Sequence, residues 1–522
     1  ADCTMSHRGR AAVMYVGLAI AMAIGPAAGS PAVSPSVLTY ALASTGTSKI
    51  PAFTAADDDA EITNQIYEAL VRVDPRTFKI EPHLATSYTV SPDGKTWTFT
   101  LRKGVKWQRG YGEFTCADVQ FTWDLHKNPQ TRSLWEPQAR VVDTVSCPDP
   151  YTAVITLQRP FQAFVWNVAN IMPSTGWILS KAAWTNIGRA GYEGEPVGTG
   201  PYMLRSLTPK QDVILARNPG YWGPRPVVDV IDFKVIGDIE AAEKAIRAGA
   251  IDIVQADPAA AERSQGAPGV RVLARPALEV SLLAINMGGV KPFGDVRVRQ
   301  AIRYAIDYKG LVASVLRGFG SPGYAGLLVN GMTGFDGSVN PQNTSDPAKA
   351  KALLKDAGVA LPVRGFFTTY DTAKSISAAR FIQANLSQVG IDLQPRPLKR
   401  EALVQERSKT ATPASIIGTS MPPDPDFVLS LAFISAENPP LGLNVARYSG
   451  IDGLYELQST ATTVEARLGY LRQIQQRLAE DVPAIELWQQ QDVWLVNERI
   501  QNYVPSVLSG GDSLDQVTLK PR

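Results

Sequence analysis

From Val37 onward, short stretches of alternating or continuous apolar residues are followed repeatedly by segments whose apolar residues recur about every 3.6 positions. This alternation is the strongest constraint on the fold, because it calls for sheets whose faces are covered by helices, an α/β architecture. Val37–Ala43 reads as a strand entering the polar turn Ser44-Thr45-Gly46-Thr47-Ser48, and Asp57-Asp58-Asp59 leads into Ile62, Ile66 and Leu70 at helical spacing. The turn signal Ser91-Pro92-Asp93-Gly94-Lys95 separates Tyr88-Thr89-Val90 from Trp97, Phe99 and Leu101, which predicts a hairpin. Cys116–Leu125 reads as a helix with Asp118 near its start, and Tyr151, Ala153, Ile155 and Leu157 alternate as a strand does.

Further strands are predicted at Val213–Leu215, Val230–Val235, Ile251–Ile253, Val363–Phe367 and Ile391–Leu393. Helices are predicted at Ala241–Ala248, Ala348–Ala357, Ser375–Val389 and Thr463–Glu480, with Asp346 as a cap and Gly249 and Gly358 as stops. Val298, Ile302, Ile306, Val312 and Leu316 make Asp295–Leu316 read as one amphipathic helix stopped by Gly318. Residues 319–345, rich in Gly, Pro, Asn and Ser, read as a long surface loop.

The 51 Lys and Arg nearly balance the 49 Asp and Glu, giving a formal net charge of +2 over 522 residues and no electrostatic case for nucleic acid. At the amino-terminal side a basic stretch, the apolar run Ala11–Gly25 and a small-residue exit have the parts of a secretory signal, expected to be cleaved near Ala28. An uncleaved anchor helix is the alternative. Cys3 lies ahead of this signal and no cysteine comes just after its core, so no lipid anchor is expected and a periplasmic location is. Cys116 and Cys147 remain, and they form either a disulfide or two buried thiols.

Chemistry-bearing motifs are scarce. His7, His83 and His126 are the only histidines, without HExxH, CxxC or a Gly-x-Ser-x-Gly elbow, so neither a metal nor a cofactor is expected. Gly318–Gly323 matches GxGxxG in spacing but ends a helix rather than opening one.

Seven blocks occur in order along the chain: QIYEAL from Gln65, PHLATSY from Pro82, PDGKTWTFTLRKGVKW from Pro92, TCADVQF from Thr115, GTGPY from Gly198, NPGYW from Asn218, and FGDVRVRQAIRYAID from Phe293. With DPAKAKALLKDAG from Asp346, this colinear series resembles the family 5 extracellular solute-binding proteins, the periplasmic oligopeptide and dipeptide receptors of ABC importers. The resemblance implies a periplasmic-binding-protein-like two-lobe α/β fold with an extra α/β insertion and a hinge between the lobes. Residues 1–36 would be signal and leader, and 37–75, 186–277 and 485–522 three parts of the first lobe. Residues 76–185 would be the inserted domain and 278–484 the second lobe.

The resemblance further implies a monomeric, non-enzymatic receptor that closes on a short peptide or peptide-like ligand and delivers it to a permease. An opine, an oligosaccharide or an aromatic acid derivative is the alternative ligand, and a secreted hydrolase the alternative class. Peptide-binding relatives hold the ligand amino group with an Asp in a Gly-Trp-x-x-Asp segment. Here the matching stretch is Gly418-Thr419-Ser420-Met421-Pro422-Pro423-Asp424, which lacks that Trp and Asp, so Asp424 is either a ligand group or a turn residue. Arg407 falls where relatives place a carboxylate-binding arginine, or it is a solvated helix end. Trp135, Met172, Trp488 and Gln489 match positions that approach the ligand in relatives, and Thr45, Gly46 and Thr47 end the first strand where they could receive one.

Overall fold

The computed structural model describes residues 34–54, 56–172, 175–288, 291–420, 422–440, 442–508 and 511–520. The predicted signal, its cleavage point and Cys3 lie outside these, as do Pro173, Ser174 and Met421. Three sheets organise the chain. The largest has eight strands, in the order Val270–Pro276, Trp488–Asn497, Ile253–Ala256, Val37–Leu42, Val230–Val235, Asp212–Arg217 and Tyr202–Thr208, with Gly320–Pro322 paired to Trp488–Gln490. Val37–Leu42 runs parallel to both of its neighbours, and its continuous apolar character follows from burial on both faces.

The second sheet has five strands, ordered Ile391–Leu398, Val363–Tyr370, Ala414–Ser420, Glu279–Ile285 and Ala484–Glu486. Its core packs Leu283, Ile285, Phe367 and Ile391 with Val298 and Ile302, all buried. The third, antiparallel sheet comprises Ala85–Val90, Thr96–Leu101, Thr152–Leu157 and Val142–Asp149. Trp97, Phe99 and Leu101 alternate inward with Ala153, Ile155 and Leu157 opposite, as the period-2 pattern requires.

The chain passes from the large sheet to the five-stranded one at Ala277–Leu278 and returns at Leu487. These crossings lie side by side: Ala277 N donates to Gln490 O at 2.9 Å and Leu487 N to Ser281 O at 2.8 Å. Cys116 and Cys147 are bridged, tying the start of helix Cys116–Lys127 to strand Val142–Asp149.

Three predicted elements differ from the structure, and the first is the surface loop expected over 319–345, where Gly320–Pro322 forms a strand and Leu327, Leu328, Val329 and Asn340 are buried. The helix expected over Asp295–Leu316 is two, Val296–Ala305 and Tyr308–Val315, because Ile306 takes extended backbone and Asp307 accepts from Gly310 N, capping the second helix instead of continuing the first. The helix after Asp57 ends at Ile66, leaving Leu70 beyond it in the core.

Four of the colinear blocks meet at one side chain. Glu68 is 2 % exposed and accepts from Thr199 Oγ1 at 2.8 Å, Tyr221 Oη at 3.0 Å and Trp222 Nε1 at 2.7 Å, with His83 Nε2 at 3.1 Å. Gly198 is required nearby, since a Cβ there would lie 1.8 Å from Ile66 O.

Candidate functional site

Where the two larger sheets meet beside the crossings, a cavity of about 450 Å³ is bounded by the end of strand Val37–Leu42, the first turns of helix Asp57–Ile66, Ala277–Glu279, Ser420, Gln490, Asp492, Trp494, Ser506–Leu508 and Asp512. Its chemistry is one-sided. Asp57, Asp58, Glu61, Glu279, Asp492 and Asp512 line it, and among the described residues no Lys, Arg or His does.

The carboxylates fall into two groups. Glu279, at the start of a strand of the five-stranded sheet, and Asp492, within a strand of the large sheet, are joined through Gln490, whose Nε2 donates to Glu279 Oε2 at 2.6 Å and to Asp492 Oδ1 at 3.2 Å. Burial raises both carboxyls, Asp492 to about 7 with Glu279's charge as the next cause, while Lys374 opposes the rise. On the other side, Asp58 accepts from Ser44 N and Oγ at 2.8 and 2.7 Å. Asp512 accepts from Tyr503 Oη at 2.6 Å, and Glu61 Oε1 is buried with no hydrogen-bond partner. Burial pushes Asp512 up to about 6 and Glu61 well above the usual carboxylate range, the charge of Asp512 adding to the effect on Glu61.

A second cavity of about 360 Å³ adjoins the first, sharing Glu279 and Ser420, and is lined also by Gly418, Tyr370, Lys374 and Trp488. Trp488 is 4 % exposed, yet its Nε1 has no hydrogen-bond partner. Lys374 Nζ lies 5.5 Å from the centre of the Trp488 ring and donates to Gln490 Oε1.

The structure brings Gly418, Ser420 and Trp488 to this pair of cavities, on strands Ala414–Ser420 and Trp488–Asn497, and Thr419 joins them through its backbone pairing with Val280. Gln489 lies behind them, its Nε2 donating to Ala277 O at 3.1 Å and Asn330 O at 2.8 Å, which fastens the crossing. Arg407 is buried rather than solvated: its Nε donates to Ser415 Oγ at 2.8 Å, its Nη2 to Ile416 O, and its guanidinium lies 5.3 Å from the Tyr370 ring. Burial lowers its pKa.

The remaining predicted positions lie elsewhere. Asp424 accepts a bidentate pair from Arg467 at 2.7 and 2.6 Å and borders a mainly apolar cavity of about 620 Å³ shared with Phe161 and Trp166. Thr47 donates to Asp59 from its N at 2.8 Å and its Oγ1 at 2.9 Å, and Gly46 adopts φ +73°, where a Cβ would strike Asp59. With Thr45 they border a different depression, shared with Arg109 and Glu193. Trp135 Nε1 donates to Pro51 O at 3.2 Å, and Met172 packs partly buried against the main core. Glu61, Glu279, Asp492 and Asp512 were missed from sequence; the available signal was a carboxylate inside otherwise apolar crossing strands, as in Leu278-Glu279-Val280 and Asp492-Val493-Trp494.

Comparison with known proteins completes the picture. Residues 79–439 match the model of bacterial extracellular solute-binding proteins, family 5 Middle. The chain is 31% identical over 404 residues to a glutathione-binding protein, GsiB, of Escherichia coli O1:K1 / APEC, covering 74% of this chain and 76% of that one. The fold resembles that of HbpA2 from Haemophilus parasuis, with TM-score 0.84, 22% identity and coverage of 93% and 100%. It also resembles that of DppA from Helicobacter pylori in complex with peptide STSA, with TM-score 0.72, 26% identity and coverage of 93% and 98%. The two larger sheets joined by paired crossings are the lobes of a periplasmic-binding-protein fold, and the chain belongs to the family 5 bacterial extracellular solute-binding proteins.

Proposed function

We propose that the cavity beside the crossings captures the amino terminus of a short peptide. The chain is a substrate-binding protein of an ABC transporter, and the observation that supports this ligand class is the wall of six carboxylates, with no Lys, Arg or His among the described residues that line the cavity. An ammonium entering there replaces solvation lost on closure with charge-assisted hydrogen bonds, which are the strong kind. Glu279, at the lobe-to-lobe crossing, takes the role that the missing Asp of the Gly418–Asp424 segment has in relatives. The glutathione named for GsiB and the peptide bound by DppA are of the same class.

In this reading the chain is a monomer that performs no catalysis, works outside the cytoplasm and hands its cargo to a permease. Among the described residues no helix is long and apolar enough to cross a membrane. The lobes correspond to residues 37–75, 186–277 and 487–522 on one side and 278–486 on the other, the return falling at Leu487 rather than at 485 because strand Ala484–Glu486 pairs within the five-stranded sheet, with 76–185 as the insertion. Calorimetric titration with trialanine and with N-acetyl-trialanine tests the ligand: acetylation removes the ammonium and should abolish measurable binding. Equal affinity for both peptides would refute the amino-terminal site.

A further inference from the structure

The carboxylates of the cavity form two groups on different walls, and a single ammonium answers only one of them. Glu279 and Asp492 are linked through Gln490 on the crossing strands. Glu61, Asp58 and Asp512 face in from helix Asp57–Ile66 and the Ser506–Asp512 segment. One ammonium of the protein, Lys374, reaches the first group, from the far side of Gln490; beside the second, the Arg275 charge acts on Asp512, which also accepts from Tyr40, Tyr503 and Ser506 N, so Glu61 is the open member of that group. The buried Glu61 Oε1 without a partner marks that second group as able to receive a donor.

An independent feature defines the other end of the ligand. The adjoining cavity shares Glu279 and Ser420 with the first and is lined also by two donor residues, Trp488, whose buried Nε1 has no partner, and Lys374. An indole N–H and an ammonium can only donate, so this cavity suits a carbonyl or carboxylate oxygen.

Building on the amino-terminal reading above, we infer that the preferred ligand is a short peptide whose first residue is Lys or Arg, its two cations held by Glu279/Asp492 and by Glu61/Asp512, and its backbone oxygen or carboxylate held by Trp488 and Lys374. Neutral peptides then bind as the poorer members of the same class. The split of charge along the ligand also separates such a peptide from a plain polyamine, which fills the acidic cavity and leaves Trp488 unanswered.

The test is calorimetry on the wild-type chain at pH 8 with Lys-Ala-Ala, trialanine, N-acetyl-Lys-Ala-Ala and spermidine. Lys-Ala-Ala is expected to bind at least tenfold more tightly than trialanine and than spermidine. Equal affinity for Lys-Ala-Ala and trialanine overturns the second cation site while leaving the amino-terminal site standing. Equal affinity for Lys-Ala-Ala and its acetylated form overturns the amino-terminal site instead. Spermidine as tight as Lys-Ala-Ala overturns the donor cavity. Trp488→Phe keeps the ring and removes the N–H; it should weaken Lys-Ala-Ala about fivefold and leave spermidine unchanged, and an equal loss for both assigns Trp488 a purely structural role. The wild-type series decides the two cation sites even if this variant folds poorly.

Discussion

The Gln490 amide donates to the Glu279 carboxylate at 2.6 Å, and this bond joins a strand of the large sheet to a strand of the five-stranded sheet beside both chain crossings. In the proposed site Glu279 serves ligand charge and lobe contact at once. Replacing it by Gln keeps the shape and removes the charge. Glu279→Gln is expected to weaken a free-amino tripeptide by about 2 kcal/mol, the scale of one charged hydrogen bond, with little loss of thermal stability. Titration of the variant and a melting curve check both halves.

Binding should strengthen as pH rises from about 6 to 8. Asp492 and Asp512 are held up to about 7 and about 6, so Asp512 sheds its proton around pH 6 and Asp492 only around neutrality, and a cation can bind strongly only as these protons leave. Glu279, Glu61, Asp57 and Asp58 face the same space and Lys374 stands behind Gln490, so the titration is a property of the group. Calorimetry in buffers of different ionisation enthalpy should register proton release on binding; proton uptake would contradict the assignment.

Glu486 gives a separate pH signature without ligand. It is fully buried, its Oε2 accepts from Tyr324 N at 2.8 Å, its Oε1 has no partner, and burial pushes it up to about 8. A raised acid pKa means the folded chain holds the proton longer than the unfolded one. Its contribution is therefore full below about 4.5 and is lost as pH rises through about 8, at about 1.4 kcal/mol per pH unit. Glu486→Gln should flatten the fall in melting temperature over that window.

Removing the Cys116–Cys147 bridge with the double Ser substitution frees a loop with sequence separation 31. Chain entropy puts the cost near 4 kcal/mol at most, confined to the four-stranded sheet and helix Cys116–Lys127. Hydrogen exchange should show faster opening there, while peptide affinity measured at 25 °C stays within about twofold.

Glu68→Gln replaces an acceptor of several hydrogen bonds with a group that must also donate. Trp222 Nε1 and Tyr221 Oη both donate to it, so one bond is lost or reversed. A loss of about 2 kcal/mol in stability is expected by denaturant titration, with ligand preference unaltered.

Much of the scaffold was legible because its signals are local. The hairpin at Ser91–Lys95, the Asp346 and Gly358 limits of helix Pro347–Ala357, and the Thr463 cap all act within a few residues. Asp307 misled because 3.6-residue periodicity carries on through two helices that share one face, and only the cap separates them. The cavity resisted reading for the opposite reason. Its charges come from positions 57–61, 279, 492 and 512, which no spacing connects, and single carboxylates in apolar strands look the same whether a ligand or a neighbour answers them.

In the proposed closure of the lobes, the paired crossings at Ala277–Leu278 and Leu487 are the fulcrum. Glu279 and Asp492 sit almost on that axis, whereas the apolar cavity between Phe161 and Phe427 opens far along the chain from either crossing. A load placed at a fulcrum hardly travels while the outer rims swing wide, so cargo of different length can be gripped by the same charges and still leave distinct gaps at the mouth. On the proposed reading, a permease probing those rims would gauge the size of a cargo whose charge has already been weighed inside.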